Sequence, residues 1–381
     1  MLTNQRHLFN LPDSPIYLNH AYMGPQLKSV EHIGIENLKR KSRPFEITAE
    51  DFFTEKEVLR KSFAELIDCP DPTCVAIIPS VSYGIANAMA NIPFEQGDGI
   101  VVLEEQFPSN FYAWKHLENT KNVQIHSISA PPIMKGRGEK WNQLILEAIQ
   151  PNTKVIALPH VHWTDGTRFD LEGIRKKADE VGAYLIIDGT QSVGALPFSV
   201  DKIRPDALIC GGYKWLLGPY SLGVAYYGER FHEGIPIEDN WMNHVGSEDF
   251  RNLVNYSYDF KPKALRYDVG ESSNFILTPM LNESIQQLLR WKPEHIQAYC
   301  KSISEAPLKT LEDAGFFVED ATYRTHHLFG IYLEDISKME SIQKRLKEHK
   351  IFVSYRGNAI RVACHVYNTH LELEKLVSCF I

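Results

Sequence analysis

The sequence predicts an α/β protein with a large, mostly parallel sheet domain and a smaller C-terminal α+β domain. Three observations predict it. Short apolar runs alternate with helical patterns through the middle of the chain, which is typical of βαβ units. Several runs are continuously apolar, as in strands covered on both faces. Beyond about residue 260 a loop-rich connection leads to mixed helix-like and strand-like segments.

Length and composition set the limits of this prediction. A chain of 381 residues, 44% hydrophobic and 23% charged, is neither disordered nor fibrous and allows two or three domains. The net charge of −8 comes with no basic block, so the composition gives no support for binding nucleic acid or an anionic membrane. No apolar run approaches the roughly 20 residues of a membrane span. The first residues lack the order of a signal peptide, so we expect a cytoplasmic protein.

The large domain, predicted over 15–265, contains six strand-like runs. They are CVAIIP (74–79), GIVVLEE (99–105), KVIALPHV (154–161), YLIID (184–188), DALICGG (206–212) and SLGVAYYG (221–228). A helical stretch, YGIANAMANI (83–92), follows the first run. The clearest helix is LEGIRKKADEVGA (171–183), which has one apolar face and can be capped by Asp170.

The small domain is predicted over 266–381, while residues 1–14 can pack on either domain. Residues 261–280 form a connection, and 281–315 have a helical pattern. Strand-like runs follow at FFVED (316–320), HLFGIYLED (327–335), IFVSY (351–355) and AIRVACHVYN (359–368), with helices between and after them.

Polar residues follow several predicted strands, where open parallel sheets bind ligands. They are Ser80 and Ser82, residues 107–110, His160 and His162, Asp188 and Gln191, and Tyr213 with Lys214. No glycine-rich dinucleotide or triphosphate motif follows any strand. A lysine, a carboxylate and a hydroxyl-bearing helix start are what pyridoxal 5′-phosphate requires: an amine for its aldehyde, an acid for its ring nitrogen and a site for its phosphate.

The segment from His160 to Gly223, which includes IIDGTQS and GGYKWLLGP, resembles the core of the class V aminotransferases. This family includes cysteine desulfurases, selenocysteine lyases, kynureninases and isopenicillin-N-epimerase-like enzymes. The resemblance extends from YLNHAYMGP (17–25) to IRVACHVYNTHLELEKLV (360–377). It implies the aspartate-aminotransferase-like fold (fold type I), pyridoxal 5′-phosphate as cofactor, an amino acid as substrate, and a homodimer with its active site at the subunit interface.

The resemblance also implies roles for residues around the cofactor. Lys214 would form the Schiff base and then transfer protons, and Asp188 would pair with the pyridine nitrogen. Phe107 would stack on the ring and Gln191 would contact its O3′. Ser80, Val81 and Ser82 would bind the phosphate, and Tyr213, His162 and Trp163 would line the site. Each of these residue types also has an alternative interpretation: the Asp188-Gly189 pair can be a turn, Ser80 can be only a helix cap, and Phe107 can equally be a core residue.

On the substrate side, the resemblance implies that Arg361 binds the α-carboxylate, a task suited to guanidinium. Arg356 is a second candidate, and Asn19 and His20 would border the same pocket. Ser272 and Ser273, in RYDVGESSN (266–274), would reach the phosphate of the partner subunit.

Two departures from the family pattern bear on the reaction. Only SYRGNA separates IFV from IRV, so the loop that carries a nucleophilic cysteine in cysteine desulfurases is short here and has none. Cys364 is expected to pack in the core, and the six scattered cysteines indicate reduced thiols. The lysine follows Gly-Gly-Tyr, where many relatives have Ser-x-His. That segment, with the Phe-Pro pair, favours kynureninases and epimerase-like members, whereas DGTQS is unlike kynureninase.

Several functions are consistent with these motifs, and the sequence does not discriminate among them. Transamination of an amino acid comes first, with β-lyase close behind and a kynureninase-like hydrolase or an epimerase as further alternatives. Two other classes are a catalytically idle protein that binds the cofactor and a metal hydrolase that uses His160, His162 and Asp188. A TIM barrel is disfavoured because its eight even βα units are missing.

Overall fold

The computed structural model describes residues 2–333 and 335–381. Its strands are β1 (Ile16–Tyr17), β2 (Val75–Ile78), β3 (Gly99–Leu103), β4 (Gln124–Ile128), β5 (Thr153–Pro159), β6 (Tyr184–Asp188), β7 (Ala207–Gly211), β8 (Gly223–Tyr227), β9 (Leu328–Tyr332), β10 (Ile351–Phe352), β11 (Ser354–Arg356) and β12 (Ala359–Ala363). Its helices are α1 (Lys28–Lys41), α2 (Thr54–Leu66), α3 (Val81–Ala90), α4 (Tyr112–Lys121), α5 (Arg137–Ala148), α6 (Leu171–Val181), α7 (Val200–Ile203), α8 (Leu277–Trp291), α9 (Pro293–Asp313), α10 (Met339–Glu348) and α11 (His370–Val377).

The central sheet has seven strands in the order β2-β8-β7-β6-β5-β3-β4. It is mostly parallel, as predicted, and only β8 runs antiparallel to its neighbours β7 and β2. Consecutive residues of a strand face opposite sides, so Ile77 joins one apolar core and Ile78 the other. The carboxyl ends of β2, β5, β6 and β7 therefore meet at one edge of a sheet that is covered on both faces.

All six strands predicted for the large domain belong to this sheet, and the sequence analysis missed β4. Asp170 caps α6 as predicted, accepting a hydrogen bond of 3.0 Å from the Gly173 N–H. The long helical pattern at 281–315 is divided instead between α8 and α9. Lys292 separates them with a φ of 66°, and Pro293 begins the second helix.

The C-terminal part contains a three-stranded antiparallel sheet in the order β11-β12-β9. The prediction of a strand over 316–320 is wrong, because Phe317 forms only an isolated bridge with Tyr332. The strand expected over 351–355 is divided into β10 and β11. The strand expected over 327–335 ends at Tyr332 as β9, and Glu334 lies outside the described residues.

The N-terminal segment pairs with the C-terminal part of the chain. Strand β1 runs parallel to β10, with Ile16 opposite Ile351, and the Gln5 N–H donates to the Val366 carbonyl at 2.8 Å. The division of the chain at 265/266 stays a prediction. In the part of the chain that the structure describes, no helix is long and apolar enough to cross a membrane.

Candidate active site

A cavity of about 310 Å³ opens at the edge where the parallel strands end. It brings together nine of the residues singled out from the sequence: Ser80, Val81, Ser82, Phe107, Trp163, Asp188, Gln191, Tyr213 and Lys214. They come from five separate parts of the chain, and the topology of the sheet brings them to one edge.

Lys214 lies in the tight turn after β7. Its side chain is only 6% exposed, and its Nζ lies 5.3 Å from the centre of the Phe107 ring. Burial lowers the pKa of Lys214 to about 8, although the nearby Asp188 carboxylate opposes the shift. The charges of Arg361 and Arg356 lower this pKa further. The amine is therefore easier to deprotonate than an ordinary lysine.

Asp188 is the last residue of β6 and lies between β5 and β7. The Thr190 N–H donates to its Oδ1 at 2.9 Å, and the Thr190 Oγ1 accepts from the Gly211 N–H at 3.1 Å. Burial raises the pKa of Asp188, while the Thr190 hydrogen bonds and the Lys214 charge lower it. The protein hydrogen bond involves Oδ1, which leaves Oδ2 for a ligand.

Gln191 lines the cavity with an amide that is already held. Its Oε1 accepts from the Trp215 indole N–H at 2.8 Å, and its Nε2 donates to the Ala21 carbonyl at 3.2 Å. One N–H of Nε2 remains for a ligand. The sequence analysis missed Thr190 and Trp215, although both adjoin predicted site residues and have side chains that can hydrogen-bond.

Helix α3 begins at the cavity, with Ser80 as its N-cap. The Ser80 Oγ accepts from the Tyr83 N–H at 3.2 Å and lies 3.0 Å from the Ser82 Oγ. Both serines are exposed, and the first N–H groups of a helix have no partner within it. Hydroxyls and free N–H groups at the positive end of the helix dipole suit a phosphate dianion.

Aromatic rings form two walls of the cavity. Phe107 and Trp163 meet edge to face, with ring centres 5.5 Å apart, and Tyr213 and Tyr220 do the same at 4.7 Å. Tyr220, Ser221 and Gln106 line the cavity without having been predicted, and Ser109, from the predicted segment 107–110, lines it as well. Tyr220 was missed because it precedes β8, and an antiparallel strand brings its amino end, not its carboxyl end, to this edge.

Arg361 and Arg356 adjoin the cavity through Trp163 rather than lining it. Arg361 is 1% exposed, and its Nη1 donates to the Trp163 carbonyl at 2.8 Å. Its Nη2 donates to the Ser354 hydroxyl at 3.3 Å. The Arg356 guanidinium lies over the Trp163 indole, 5.1 Å from the ring centre. Burial, with the charge of Arg356 as a smaller cause, lowers the pKa of Arg361 to about 9.

His162 does not line the cavity, which corrects its predicted role. Val161 and Trp163 face the cavity, so the residue between them points to the other side of the chain. Its ring packs 4.9 Å from Trp141, and its Nδ1 lies 2.7 Å from the Thr164 hydroxyl.

His20 and Asn19 also lie behind the cavity wall. The His20 Nε2 lies 3.1 Å from the Lys214 carbonyl, and its ring stacks on Trp215 at 4.3 Å. Burial lowers the pKa of His20 to about 3, so this ring is a neutral support for the lysine turn. The Asn19 Oδ1 accepts from the Ser354 hydroxyl at 2.7 Å.

Ser272 and Ser273 are buried within their own protomer. The Ser272 N–H donates to the Val269 carbonyl at 3.1 Å, and its own carbonyl accepts from the Thr278 hydroxyl at 3.2 Å. The Ser272 hydroxyl is buried and has no hydrogen-bond partner among the described residues, so this protomer gives no support to the predicted contact with the phosphate of a partner subunit.

The two histidines considered as metal ligands point apart. The His160 ring packs against Phe198 at 5.6 Å, whereas the His162 ring packs against Trp141. Residues 2–333 and 335–381 contain no group of three histidine, cysteine or acidic side chains that could hold a metal ion. The donors at the cavity instead fit pyridoxal phosphate: a buried amine, a carboxylate with an open oxygen, and a helix start with two hydroxyls.

A family model described as "Aminotransferase class-V" matches residues 40–378. An uncharacterized aminotransferase of Bacillus subtilis is 25% identical over 324 residues, which cover 84% of this chain and 82% of that protein. A probable cysteine desulfurase of Staphylococcus aureus is 30% identical over 286 residues, which cover 74% of this chain and 58% of that protein.

Solved structures share the whole fold at low sequence identity. The cystine C-S lyase C-DES, in complex with its reaction product cysteine persulfide, aligns with a TM-score of 0.84 at 17% identity, covering 96% of this chain and 97% of that chain. The cysteine desulfurase CsdA of Escherichia coli aligns with a TM-score of 0.80 at 17% identity, covering 98% and 96%. The chain therefore has the predicted fold type I.

Proposed function

The chain belongs to the class-V aminotransferase family of pyridoxal-phosphate enzymes, and we propose that it acts on the α-carbon of an amino acid, with amino-group transfer as its reaction. The observation that carries the proposal is the position of Lys214. Its buried amine, with a pKa of about 8, shares one cavity with Asp188 and with the amino end of α3. Perturbed titratable groups that converge in a cavity are typical of catalytic sites.

Bound pyridoxal phosphate supplies an aldehyde that binds amines covalently and a ring that withdraws electrons from the substrate α-carbon. In this proposal the Lys214 amine would hold the aldehyde, and the Asp188 Oδ2 would accept a hydrogen bond from the ring nitrogen and so keep that nitrogen protonated. Ser80, Ser82 and the first N–H groups of α3 hold the phosphate. The Phe107 ring packs against the cofactor ring.

Once the substrate has displaced it, the Lys214 Nζ is free to act as a base. Its pKa of about 8 leaves an appreciable neutral fraction near neutral pH, which a general base requires. Nζ removes the proton from the substrate α-carbon and returns it at a neighbouring atom. Arg361 orients the substrate by binding its α-carboxylate, as guanidinium does in a bidentate pair.

A β-lyase is the second candidate, favoured by the alignment of nearly the whole chain with a C-S lyase. A lyase that stores sulfur on its own cysteine is not proposed. All six cysteines are buried, and the Cys364 Sγ donates to the His326 carbonyl at 3.5 Å within the core. A lyase here would release its product directly.

We also propose a homodimer that closes the cavity. Tyr220, which lines the cavity, is 64% exposed, and Ser80 and Ser82 are exposed beside it. A second subunit over this opening would shield the phosphate site from water. Analytical ultracentrifugation of the holoenzyme tests this, and a monomer at micromolar concentration would contradict it.

The visible spectrum of the purified protein tests the proposed function. We expect a cofactor band that is lost in Lys214→Ala and kept in Lys176→Ala, which removes an exposed lysine of α6. A panel of amino acids, each with a 2-oxo acid acceptor, then separates transfer from elimination by product. A protein that stays colourless with added pyridoxal phosphate, or turns over no amino acid, would overturn the proposal.

A further inference from the structure

Arg356 and Arg361 form a pair of cations on one face of a hairpin. Strands β11 and β12 are antiparallel, with Ser354 opposite Arg361 and Arg356 opposite Ala359. Residues two apart in a strand share a face, so Arg356 lies diagonally across from Arg361. The Cα atoms of such diagonal neighbours in a sheet are about 7–8 Å apart. The turn at Gly357, with a φ of 52°, holds the strands in this register.

No acidic side chain in the described part of the chain forms a salt bridge with either arginine. Each also has a buried Nε with no hydrogen-bond partner there. The charge of Arg356 lowers the pKa of Arg361, and both charges lower the pKa of Lys214. Both guanidinium groups also contact Trp163, which lines the cavity beside the lysine.

The charges of the cofactor do not neutralise this pair. In the proposed function, the phosphate lies at α3 and the ring nitrogen pairs with Asp188. The α-carboxylate of the substrate then neutralises Arg361. A substrate with a single carboxylate would leave Arg356 unmatched, beside the Trp163 indole that holds its guanidinium at 5.1 Å.

We propose that Arg356 binds a second acidic group of the substrate, so that the enzyme acts on a dicarboxylic amino acid or its 2-oxo acid. This inference rests on the proposed function. Because both guanidinium groups contact Trp163, Arg361 at its carbonyl and Arg356 at its indole, one short dicarboxylate can reach both. The planar guanidinium binds that side-chain carboxylate through two N–H groups.

Binding of unreactive probes tests the inference without turnover. Glutarate carries two carboxylates and butyrate has one, on chains of similar length. The holoenzyme should bind glutarate about 10- to 100-fold more tightly than butyrate, the effect of one charge-assisted hydrogen-bonded pair. Arg356→Gln should remove this preference. Lys347→Gln, which removes an exposed charge at the end of α10, should keep it.

Steady-state kinetics with acidic and neutral amino acids provide a second test of the role of Arg356. Arg356→Gln should lower kcat/KM for glutamate and aspartate about 10- to 100-fold while leaving glutamine and asparagine within about twofold. An equal loss for all four would overturn the inference, because Arg356 would then serve the α-carboxylate. Neutral amino acids that react as well as acidic ones in the wild type would also overturn it. If no amino acid reacts, the proposed function itself fails. An unchanged cofactor band in Arg356→Gln confirms that the variant is folded.

Discussion

Two halves of the site differ in how far their polar groups are satisfied. The inner half consists of Asp188, Thr190, Gln191 and Trp215, at the ends of the central strands. There a chain of hydrogen bonds of 2.8 to 3.2 Å holds the side chains in place. The outer half consists of Arg356 and Arg361 on the β11–β12 hairpin, and each keeps a buried Nε without a partner among the described residues.

The difference follows from how long each half holds its ligand. A cofactor that stays bound requires side chains in fixed positions, and the inner hydrogen bonds provide this while leaving the Asp188 Oδ2 and one Gln191 N–H for the ligand. A substrate that comes and goes requires donors that the protein has not already used, because leaving a buried donor unpaired costs free energy until a ligand arrives. The inner half is therefore preorganised, whereas the outer half is completed by its ligand.

The largest expected effect comes from substituting one residue in each half of the site and comparing activity with cofactor binding. Arg361→Gln should lower kcat/KM for amino acids by about 100-fold or more, as truncation of a buried charge pair does, with the cofactor band unchanged. Asp188→Asn should change the cofactor band itself, because it alters the partner of the ring nitrogen. Steady-state kinetics and the visible spectrum of both variants measure this. If Arg361→Gln loses the cofactor, the two halves do not function separately.

The pH dependence of cofactor uptake sharpens the comparison. The pKa of Lys214 is lowered to about 8, and only its neutral amine attacks an aldehyde. The rate of covalent uptake by the apo-protein should therefore rise with pH and level off above about pH 8, rather than above about 10.4 as for an ordinary lysine. Absorbance followed between pH 6 and pH 11 measures it.

The pH dependence of cofactor uptake also tests whether a charge in the outer half affects Lys214. The Arg361 charge lowers the pKa of Lys214, so Arg361→Gln should move the midpoint of uptake to higher pH. Lys347→Gln serves as the control that removes a distant charge. A midpoint that is equal in the wild type and Arg361→Gln would mean that the Arg361 charge does not contribute to the lowered pKa of Lys214.

The smallest expected effect concerns stability at the phosphate end. Ser80→Ala removes the N-cap of α3 and should lower the free energy of unfolding by about 1 kcal/mol. Ser82→Ala should change it by less, because the Ser82 hydroxyl contacts only the Ser80 hydroxyl. Urea unfolding of both apo-variants measures the difference. Equal losses would show that the two hydroxyls act as a pair rather than as a cap and its neighbour.

The buried parallel strands could be predicted from the sequence with good accuracy. The run YLIID has the bounds of β6 because it is covered on both faces and is apolar up to Asp188 at its end. The edge strand β4, QIHSI, was missed because its residues are exposed or half-buried and mix polar with apolar types. The run FFVED is as apolar as a strand at its start, but it lacks a neighbour that would pair along its length.

The site was predictable where a side chain follows a parallel strand. Lys214, Asp188 and Ser80 lie at such ends and reach the cavity together. Strand direction cannot be derived from an apolar run, so Tyr220 before the antiparallel β8 was missed. The side on which His162 lies depends on where β5 ends, at Pro159, and a sequence pattern gives such boundaries poorly.

The pairing of β1 with β10 bears on the order in which the molecule folds. Asn19 bonds to Ser354 across 335 residues of sequence, and contacts of such separation are slow to form. During synthesis, residues 16–20 cannot form these long-range contacts until β10, β11 and β12 have been made. His20, Ala21 and Gly24 bond to the Lys214 carbonyl, the Gln191 side chain and the Tyr213 carbonyl. We therefore expect these supports to reach the lysine turn late in folding, after the C-terminal strands have positioned the N-terminal segment.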